Sequence, residues 1–330
     1  MANLRAALVG LGSMGRNHAR NLRALPDVDF VAAVDPQGDA YGVAGDVPVL
    51  ADLDELIKLG VDYCVVAAPT ALHGNIAEQL ADAGIHMLVE KPVAKDSATA
   101  QAMVEAFDRA GLVGAVGHIE RYNPALQELK RRLEGGELGE IFQIATRRQG
   151  PFPARIADVG VVMDLASHDI DLTGFVTGRE YDAISARTAH KSGREHEDLV
   201  AATGVLSGSL VSNHLVNWLS PQKERSTVVT GELGTFIAST LDADLTFHAN
   251  GTVESQWDDI AHFRGMTEGD VIRYAFAKPE PLRTEHELFR DAVLGKESAI
   301  VTLRDGLAAV RVCEAILESA ATGRTVELKG

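Results

Sequence analysis

The chain has few cysteines, no long apolar run and no excess of positive charge. Its two cysteines, Cys64 and Cys313, show no spacing typical of a metal site or a disulfide framework, so we expect no bound metal. No uninterrupted apolar run approaches the roughly 20 residues that a membrane-spanning helix needs. Lys and Arg number 31 against 47 Asp and Glu, and the resulting net charge of −16 is unfavourable for binding a phosphate backbone. We therefore expect neither a membrane nor a nucleic acid as a partner.

Length and the first residues of the chain give two further expectations. A chain of 330 residues predicts about two domains. Met1 to Arg5 lead directly into the first apolar run, which leaves no room for a signal peptide. Both cysteines lie in apolar patterns typical of small buried side chains in a reducing compartment. These features predict a cytoplasmic protein.

The first part of the chain alternates strand and helix patterns. Continuous apolar strands are predicted at Leu4–Val9, Phe30–Val34, Tyr63–Ala68, Met87–Val89 and Val113–Gly117. Helices are predicted at Met14–Leu25, Leu53–Leu59 and Ala71–Ala83, and from a Ser97 cap to Ala110. This alternation is typical of a doubly wound parallel sheet that is covered by helices on both faces.

The pattern changes near residue 120. Asn123 and Pro124 are a cap and a first helical residue, and the helix they begin ends near Gly135. The strands predicted after it are Ile141–Arg148, Ala183–Thr188, Leu199–Leu206, Ser209–Trp218, Ser226–Thr230 and Leu245–His248. Further helices are predicted at Val162–Val176, Glu285–Val293 and Leu303–Ala320. Because most of these strands follow one another directly, we expect a mostly antiparallel sheet and two domains, residues 1–120 and 121–330.

The stretch Gly10-Leu11-Gly12-Ser13-Met14-Gly15 carries the strongest functional signal. It lies between a predicted strand and a predicted helix, as the fingerprint of dinucleotide-binding sites does. Gly10 permits a tight turn, Gly12 lets the backbone approach a pyrophosphate, and Gly15 lets helix and strand pack closely. The helix N-terminus supplies free N–H groups for the phosphates.

Asp35 follows Gly15 by twenty residues and ends the second predicted strand. Its carboxylate would accept hydrogen bonds from the hydroxyls of the adenine ribose and would repel a 2′-phosphate. No Arg or Lys follows it before Lys58. The sequence therefore predicts NAD as cofactor in preference to NADP.

Lys91 is the first candidate for chemistry, within the sequence Glu90-Lys91-Pro92 directly after a predicted strand. Ligands of α/β proteins bind at this carboxyl end of the strands. Pro92 disfavours helical geometry at Lys91. A lysine there can donate to a substrate oxygen, although a single lysine in a loop is more often a surface residue.

Asp164 and His168 are the second candidates, four residues apart on a predicted helix. An acid beside a histidine orients the imidazole and stabilises its charged form. Asp169 and Asp171 flank His168, so the sequence leaves open which acid faces it. The alternative interpretation is an ordinary surface pair. His18 is expected on the outer face of its helix, without a role.

Together these motifs resemble the Gfo/Idh/MocA family of sugar and polyol dehydrogenases. The resemblance rests on the glycine stretch, on Glu90-Lys91-Pro92, and on Asp164 to Leu172, and extends over essentially the whole chain. It implies an N-terminal Rossmann domain, a C-terminal α/β domain with a large open sheet, and homodimers or homotetramers. It also implies catalysis by Lys91, Asp164 and His168. The implied cofactor contacts come from Gly10, Gly12, Ser13, Met14, Gly15, Asp35, Pro69, Thr70, His73, Glu90 and Lys91.

A narrower resemblance is to members that oxidise C3 of UDP-N-acetylglucosamine or its uronic acid. It rests on Gly117 to Pro124 and on Gly150 to Gly160. The substrate-binding residues predicted from it are Arg121, Tyr122, Asn123, Arg148 and Arg155. Arginines would meet a diphosphate, and Tyr122 or Phe152 would stack on a sugar or base. The alternatives are that Asn123 only caps its helix and that Arg148 only ends a strand.

These residues predict reversible oxidation of a secondary alcohol on a sugar-like ring. His168 would take the hydroxyl proton, Asp164 would orient it, and Lys91 would stabilise the developing oxyanion. Lys91 and His168 could exchange these roles. The alternatives are an inositol or free-sugar dehydrogenase of the same family and a non-catalytic NAD-binding regulator.

The carboxylate of Asp35 leads to a prediction about cofactor choice. We expect the KM for NADP to exceed that for NAD by about tenfold or more, since a like charge beside the 2′-phosphate costs on the order of 1–2 kcal/mol. Initial rates at varied cofactor concentration test this. Comparable KM values would contradict it.

Overall fold

The computed structural model describes residues 3–153, 159–251 and 267–328. The chain divides into two compact units, each made of two segments. The first unit contains Met1–Ile119 and Glu280–Arg311, and the second contains Glu120–Pro279 and Val312–Gly330. The segment Glu280–Arg311 therefore belongs to the first compact unit, although the boundary predicted at residue 120 assigned it to the second domain.

Fifteen strands are present in the described residues. They are β1 Leu4–Val9, β2 Val28–Val34, β3 Val49–Leu50, β4 Tyr63–Val66, β5 His86–Val89, β6 Gly114–Val116, β7 Ile141–Pro151, β8 Tyr181–Ala189, β9 Leu199–Leu206, β10 Leu210–Asn217, β11 Leu219–Gly231, β12 Gly234–Ser239, β13 Asp244–Gly251, β14 Thr267–Arg273 and β15 Val326–Glu327. The α-helices are α1 Ser13–Ala24, α2 Leu53–Leu59, α3 His73–Asp82, α4 Ser97–Ala110, α5 Pro124–Glu134, α6 Ser167–Thr177, α7 Pro281–Val293 and α8 Leu303–Thr322.

The first unit is built on a six-stranded sheet in the order β3-β2-β1-β4-β5-β6. All its strand pairs are parallel. The strands are apolar along their length because helices cover both faces of such a sheet. The order reverses beside β1, so the carboxyl ends of β1 and β4 border the crevice where ligands of doubly wound sheets bind. This sheet confirms the predicted Rossmann domain.

Helix ends in the first unit follow ordinary capping chemistry. The Asp52 side chain accepts from the Glu55 N–H and begins α2. Helix α4 is capped in the same way by Asp96, which accepts from the Thr99 N–H. Ser97, the predicted cap, is the first helical residue instead. Gly111 ends this helix in the left-handed conformation, as its position after Ala110 predicts.

The chain returns to the first unit after residue 279 because α7 completes its core. Phe289 is buried and meets Tyr63 of β4 edge-on, with ring centroids 5.4 Å apart. Beyond α7, the Val116 N–H of β6 donates to the Val301 carbonyl. Gly306 lies so close to Val93 and Val116 that an added Cβ would contact both. These contacts explain why the segment folds with residues distant in sequence.

The second unit is built on a nine-stranded sheet in the order β14-β13-β12-β11-β7-β10-β9-β8-β15. Its strand pairs are antiparallel except for β7 with β10, which run parallel. The prediction of a mostly antiparallel sheet in a C-terminal α/β domain is confirmed. A tight turn at Ser207 to Ser209 joins β9 to β10. Strands β12, β14 and β15 were missed.

Along the central strands of this sheet, buried and exposed side chains alternate. In β9, Val200 and Leu206 are buried while Val205 is exposed. In β10, Leu210 is buried and Val211 exposed. One face therefore packs inside the unit and the other remains open. No helix in the described part of the chain is long and apolar enough to cross a membrane.

Candidate functional site

The turn between β1 and α1 admits only glycine at two positions. Gly10 has a φ of +95°, and a Cβ there would lie 2.6 Å from the Ala67 carbonyl oxygen. A Cβ on Gly15 would lie against the Gly10 carbonyl oxygen, closer than van der Waals contact allows. Gly12, at the start of α1, has no neighbouring atom within 4 Å of its Cβ position. The turn thus leaves open backbone at a helix N-terminus, which suits a pyrophosphate.

Asp35 lies beside this turn and holds its shape. Its Oδ2 accepts from the Leu11 N–H and its Oδ1 from the Gln37 N–H, both at 2.9 Å. Each carboxylate oxygen has a further lone pair, so the side chain can also accept from ribose hydroxyls. The glycine turn and Asp35 therefore fit NAD, with Ser13 and Met14 as the first residues of α1.

The segment after β4 carries Pro69, Thr70 and His73. Thr70 begins a short 3-10 turn that leads into α3. His73 is buried, and its ring nitrogens lie 2.9 Å from the Ala68 carbonyl oxygen and 3.1 Å from that of Pro92. The ring thus joins the segment after β4 to the segment after β5. Cofactor contact by these residues stays a prediction.

Glu90, Lys91 and Pro92 follow β5 directly, at the carboxyl edge of the sheet where the sequence places them. The peptide bond before Pro92 is cis. Lys91 is partly exposed. The Glu90 carboxylate is buried, with Oε2 accepting from the Lys91 N–H at 3.2 Å. Nearby Lys91 and His18 lower the pKa of Glu90 although burial alone would raise it.

The expectation that His18 lies on the outer face of α1 is wrong. The ring is fully buried, with Nε2 2.9 Å from Glu90 Oε1 and Nδ1 2.9 Å from His286 Nε2. The buried face of α1 includes Gly15, His18, Ala19 and Leu22, spaced as one helical stripe. That spacing was the available signal, since Gly15 must face the sheet.

In the second unit, Asp164 lies in a wide π-helical turn, Val162–Ala166, that leads into α6. His168 is in the first turn of α6 and is partly exposed, whereas Asp164 is buried. The predicted single helix is therefore a π turn followed by an α-helix. Such turns displace side chains from regular spacing and are frequent at functional sites.

Two arginines engage the other acids of α6. Arg121 meets Asp171 in a bidentate pair, with its Nη2 2.7 Å from Oδ1. Arg148 lies 3.1 Å from Asp169 Oδ2 through its Nε. Asp169 and Asp171 thus serve as partners for arginines, and the pairing of Asp164 with His168 stays a prediction.

Arg148 and Asn123 have internal partners in the second unit. Arg148 is 2% exposed, and its Nη1 lies 2.8 Å from Glu120 Oε1. The Asn123 side chain accepts from the Ala125 N–H and donates to the Thr240 carbonyl. Asn123 thus caps its helix, as its alternative interpretation holds, whereas Arg148 lies within β7 and does not end that strand. Substrate contact by either residue stays a prediction that the geometry does not favour.

The remaining predicted substrate residues differ in their surroundings. Tyr122 is buried, and Phe152 is exposed but has the Arg194 guanidinium 4.0 Å from its ring centroid. The Phe152 ring also meets Trp218 edge-on at 5.2 Å. Arg155 lies outside the described residues. The rings predicted to stack on a sugar therefore already pack against protein groups.

The charges around Arg148 explain why the cluster is stable when buried. Burial opposes ionisation of Glu120, but Arg148 and Arg225 hold the pKa of its carboxyl below the usual value. Burial raises the pKa of Asp169 despite the nearby Arg148. The pKa of Arg148 is raised by Asp169 and Glu120 against the effect of burial. The guanidinium stays charged and bridges two carboxyl groups.

Comparison with known proteins gives matches along both parts of the chain. Residues 4–118 match the model described as "Oxidoreductase family, NAD-binding Rossmann fold", and residues 130–328 match its "C-terminal alpha/beta domain", both of the Gfo/Idh/MocA group. UDP-N-acetylglucosamine 3-dehydrogenase of Acidithiobacillus ferrooxidans is 32% identical over 64% of this chain and 66% of its own length. The scyllo-inositol 2-dehydrogenase (NAD(+)) of Bacillus subtilis is 30% identical over 55% and 56%, respectively. These two alignments thus span less than two thirds of the relatives.

A solved structure agrees with the fold over nearly the whole chain. The WlbA dehydrogenase from Bordetella pertussis, in complex with NADH and UDP-GlcNAcA, superposes with a TM-score of 0.84 and 24% identity. The match covers 99% of this chain and 98% of that one. At this identity the likeness establishes the fold alone.

The neighbouring arginines of β7 give a prediction about stability. Arg148→Ala would leave Glu120 and Asp169 buried without their cation and should lower the free energy of unfolding by about 3–5 kcal/mol. Arg147→Ala is the matched control, because its side chain is 52% exposed and lies 3.7 Å from Glu224. It should change stability by about 0–1 kcal/mol. Urea unfolding measures both. Equal small effects would contradict the structural role of Arg148.

Proposed function

Because this chain belongs to the Gfo/Idh/MocA family of oxidoreductases, we propose that it oxidises a secondary alcohol on a sugar-like ring with NAD. The observation that carries this is within the first unit. The glycine turn and Asp35, which are suited to NAD, lie at the carboxyl edge of the parallel sheet. Glu90 and Lys91 follow strand β5 at the same edge. A lysine at that edge can donate to a substrate oxygen.

The proposed mechanism divides proton transfer and charge stabilisation among three residues. His168 accepts the hydroxyl proton as general base, and the buried Asp164 orients its ring and stabilises the imidazolium. Lys91 donates a hydrogen bond to the oxygen as negative charge develops there. An alternative assignment exchanges the roles of Lys91 and His168. NAD, when bound, supplies the acceptor for the hydrogen removed from carbon.

We propose a UDP-sugar as substrate, oxidised at C3 of UDP-N-acetylglucosamine or its uronic acid. The A. ferrooxidans relative carries that activity in its name, and the motifs between Gly117 and Gly160 support the same branch. Of the arginines predicted to bind the diphosphate, Arg121 pairs with Asp171 and Arg148 is buried. Arg155, the third of these arginines, lies outside the described residues, and its contact with the diphosphate is tested by substitution.

The inositol dehydrogenase named among the relatives supports a second candidate at similar identity. A free polyol carries no phosphate, so Arg155→Ala should raise the KM for a nucleotide sugar sharply and leave that for inositol almost unchanged. A regulator that binds NAD without turnover is the third candidate. The presence of Lys91, Asp164 and His168 together argues against it.

Absorbance at 340 nm tests the proposed function directly. We expect NADH formation with NAD and one of UDP-N-acetylglucosamine or its uronic acid, and none with myo-inositol or glucose. Lys91→Ala should abolish it, and His168→Ala should lower kcat by about 10²–10⁴-fold with little change in NAD binding. An unchanged kcat in His168→Ala would remove that residue from the mechanism.

Other outcomes of the assay select among the candidates. Activity on inositol or glucose alone would keep the chemistry and reject the nucleotide-sugar branch. NAD binding without turnover on any alcohol would favour the regulator.

We also propose that the open face of the second unit's sheet pairs with another copy of the chain, as a homodimer or homotetramer. The exposed side chains of Val205, Val211 and Ile237 supply apolar surface there. The free, buried Cys64 and Cys313 are compatible with the expected cytoplasmic location.

Sedimentation velocity tests this assembly. The wild-type protein should sediment as an oligomer, and Val211→Lys should shift it towards monomer because a buried charge opposes association. Leu59→Lys, an equally drastic change at an exposed residue ending α2 in the first unit, should leave the mass unchanged. A monomeric wild type would contradict the proposal.

A further inference from the structure

Three buried side chains form a continuous line of hydrogen bonds in the first unit. His286 Nε2 of α7 lies 2.9 Å from His18 Nδ1 of α1, and His18 Nε2 lies 2.9 Å from Oε1 of Glu90. His18 is 0% exposed, His286 1% and Glu90 9%. The line thus runs from the interior of the unit to the end of β5, directly before Lys91.

The protonation of these groups gives the line one direction. The pKa of Glu90 is lowered by His18 and Lys91 although burial opposes this, so its carboxylate is an acceptor and His18 donates from Nε2. Burial lowers the pKa of His286 far below its usual value, so this ring is neutral and has one N–H. Within the described residues, His286 Nδ1 has no hydrogen-bond partner. The hydrogen therefore belongs on Nε2, from which it is donated to His18.

We propose that His18 and His286 are positioning residues, a buried pair that fixes the Glu90 carboxylate in the orientation required at the nicotinamide of NAD. This inference rests on the proposed function, because it uses the predicted contact between Glu90 and the cofactor. It assigns a role to two histidines that the proton-transfer mechanism leaves unused. We refer to His286, His18 and Glu90 together as the relay.

The groups around the relay keep Glu90 as its anionic end. Glu285, next to His286 on α7, is buried, and burial together with Glu90 raises its pKa well above the usual value. Within the described residues neither of its carboxyl oxygens has a hydrogen-bond partner, so the surroundings favour the protonated form of Glu285 over a second negative charge. Burial also lowers the pKa of His73. Two cations act on the relay: Lys91 favours the carboxylate form of Glu90, and Arg283 contributes to the lowered pKa of His286.

A fixed carboxylate there would distinguish the two oxidation states of the cofactor. The nicotinamide ring carries a positive charge in NAD⁺ and none in NADH, so a nearby anion favours the oxidised form. Loss of the His18 hydrogen bond should raise the pKa of Glu90. On acidification, Glu90 would then be protonated, and lose its negative charge, at a higher pH than in the wild-type protein. The relay should therefore affect NAD⁺ binding more than NADH binding.

The first test reads the histidine tautomers of the wild-type protein by ¹⁵N NMR and needs no substrate. We expect a hydrogen on Nε2 and none on Nδ1 in both His18 and His286, with the signals assigned from His18→Gln and His286→Gln. A hydrogen on Nδ1 of His18 would overturn the relay, because that atom must accept from His286.

The second test measures Kd for NAD⁺ and NADH by titration calorimetry from pH 5 to pH 8. In His18→Leu, the pH at which NAD⁺ binding is lost on acidification should rise by about one to two units. One charge-assisted hydrogen bond to a carboxylate shifts its pKa by about that much. At pH 5 the variant's Kd for NAD⁺ should rise by about three- to tenfold, and that for NADH by less than about twofold. His18→Gln restores an amide donor to Glu90 and should recover most of the NAD⁺ affinity.

Two controls separate positioning from folding and from the proposed function. Equal weakening of NAD⁺ and NADH, or no rescue by Gln, would mean a merely structural role and overturn the inference. If His18→Leu fails to fold, the His286→Phe and His286→Gln pair replaces it with the same expected contrast. If the wild type bound no NAD, the proposed function would fail, and the contact assigned to Glu90 would fail with it. The tautomer result would then report only the hydrogen-bond line.

Discussion

The close approach of α1 to β1 is the constraint on which the first unit depends. Only glycine fits where the helix crosses the turn, because a Cβ on Gly15 would collide with the Gly10 carbonyl oxygen. This contact fixes the axis of α1, and with it the direction of the free N–H groups at Gly12 and the buried face one turn later. His18 lies on that face and reaches Glu90. One steric requirement thus sets both the phosphate site and the hydrogen bond to the end of β5.

In the second unit a different constraint operates, the balance of buried charge. Arg148 satisfies Glu120 and Asp169 away from solvent, and Arg121 satisfies Asp171. Removing one partner of such a cluster is costly, whereas its net contribution to stability is small. The cluster therefore acts mainly to hold α6 in one position on β7. His168 lies in the first turn of the same helix, so the charges of neighbouring residues determine where the proposed base is placed.

The sequence predicted backbone patterns better than it predicted what charged side chains contact. The parallel sheet of the first unit and the helix begun by Asn123 follow from apolar periodicity and local capping, which depend on nearby residues. Arg148 was predicted to meet a diphosphate, but its partners Glu120 and Asp169 are 28 and 21 residues away. Strand β12 was missed because its pairing with β11 and β13 is a tertiary contact. Residue type alone does not show whether a cation faces substrate or an internal acid.

The return of the chain to the first unit has two physical consequences that belong together. Helix α7 places Phe289 against Tyr63 in the core and His286 against His18, 268 residues away in the sequence. Burying the two histidines costs free energy, because their rings are removed from water and must be hydrogen-bonded inside the protein. The apolar contact between Phe289 and Tyr63 contributes stability that offsets this cost. A Rossmann sheet formed by residues 3–119 alone would leave His18 Nδ1 without its donor. The segment Glu280–Arg311 is thus part of the first unit's polar interior, and a division at residue 120 separates groups that contact each other.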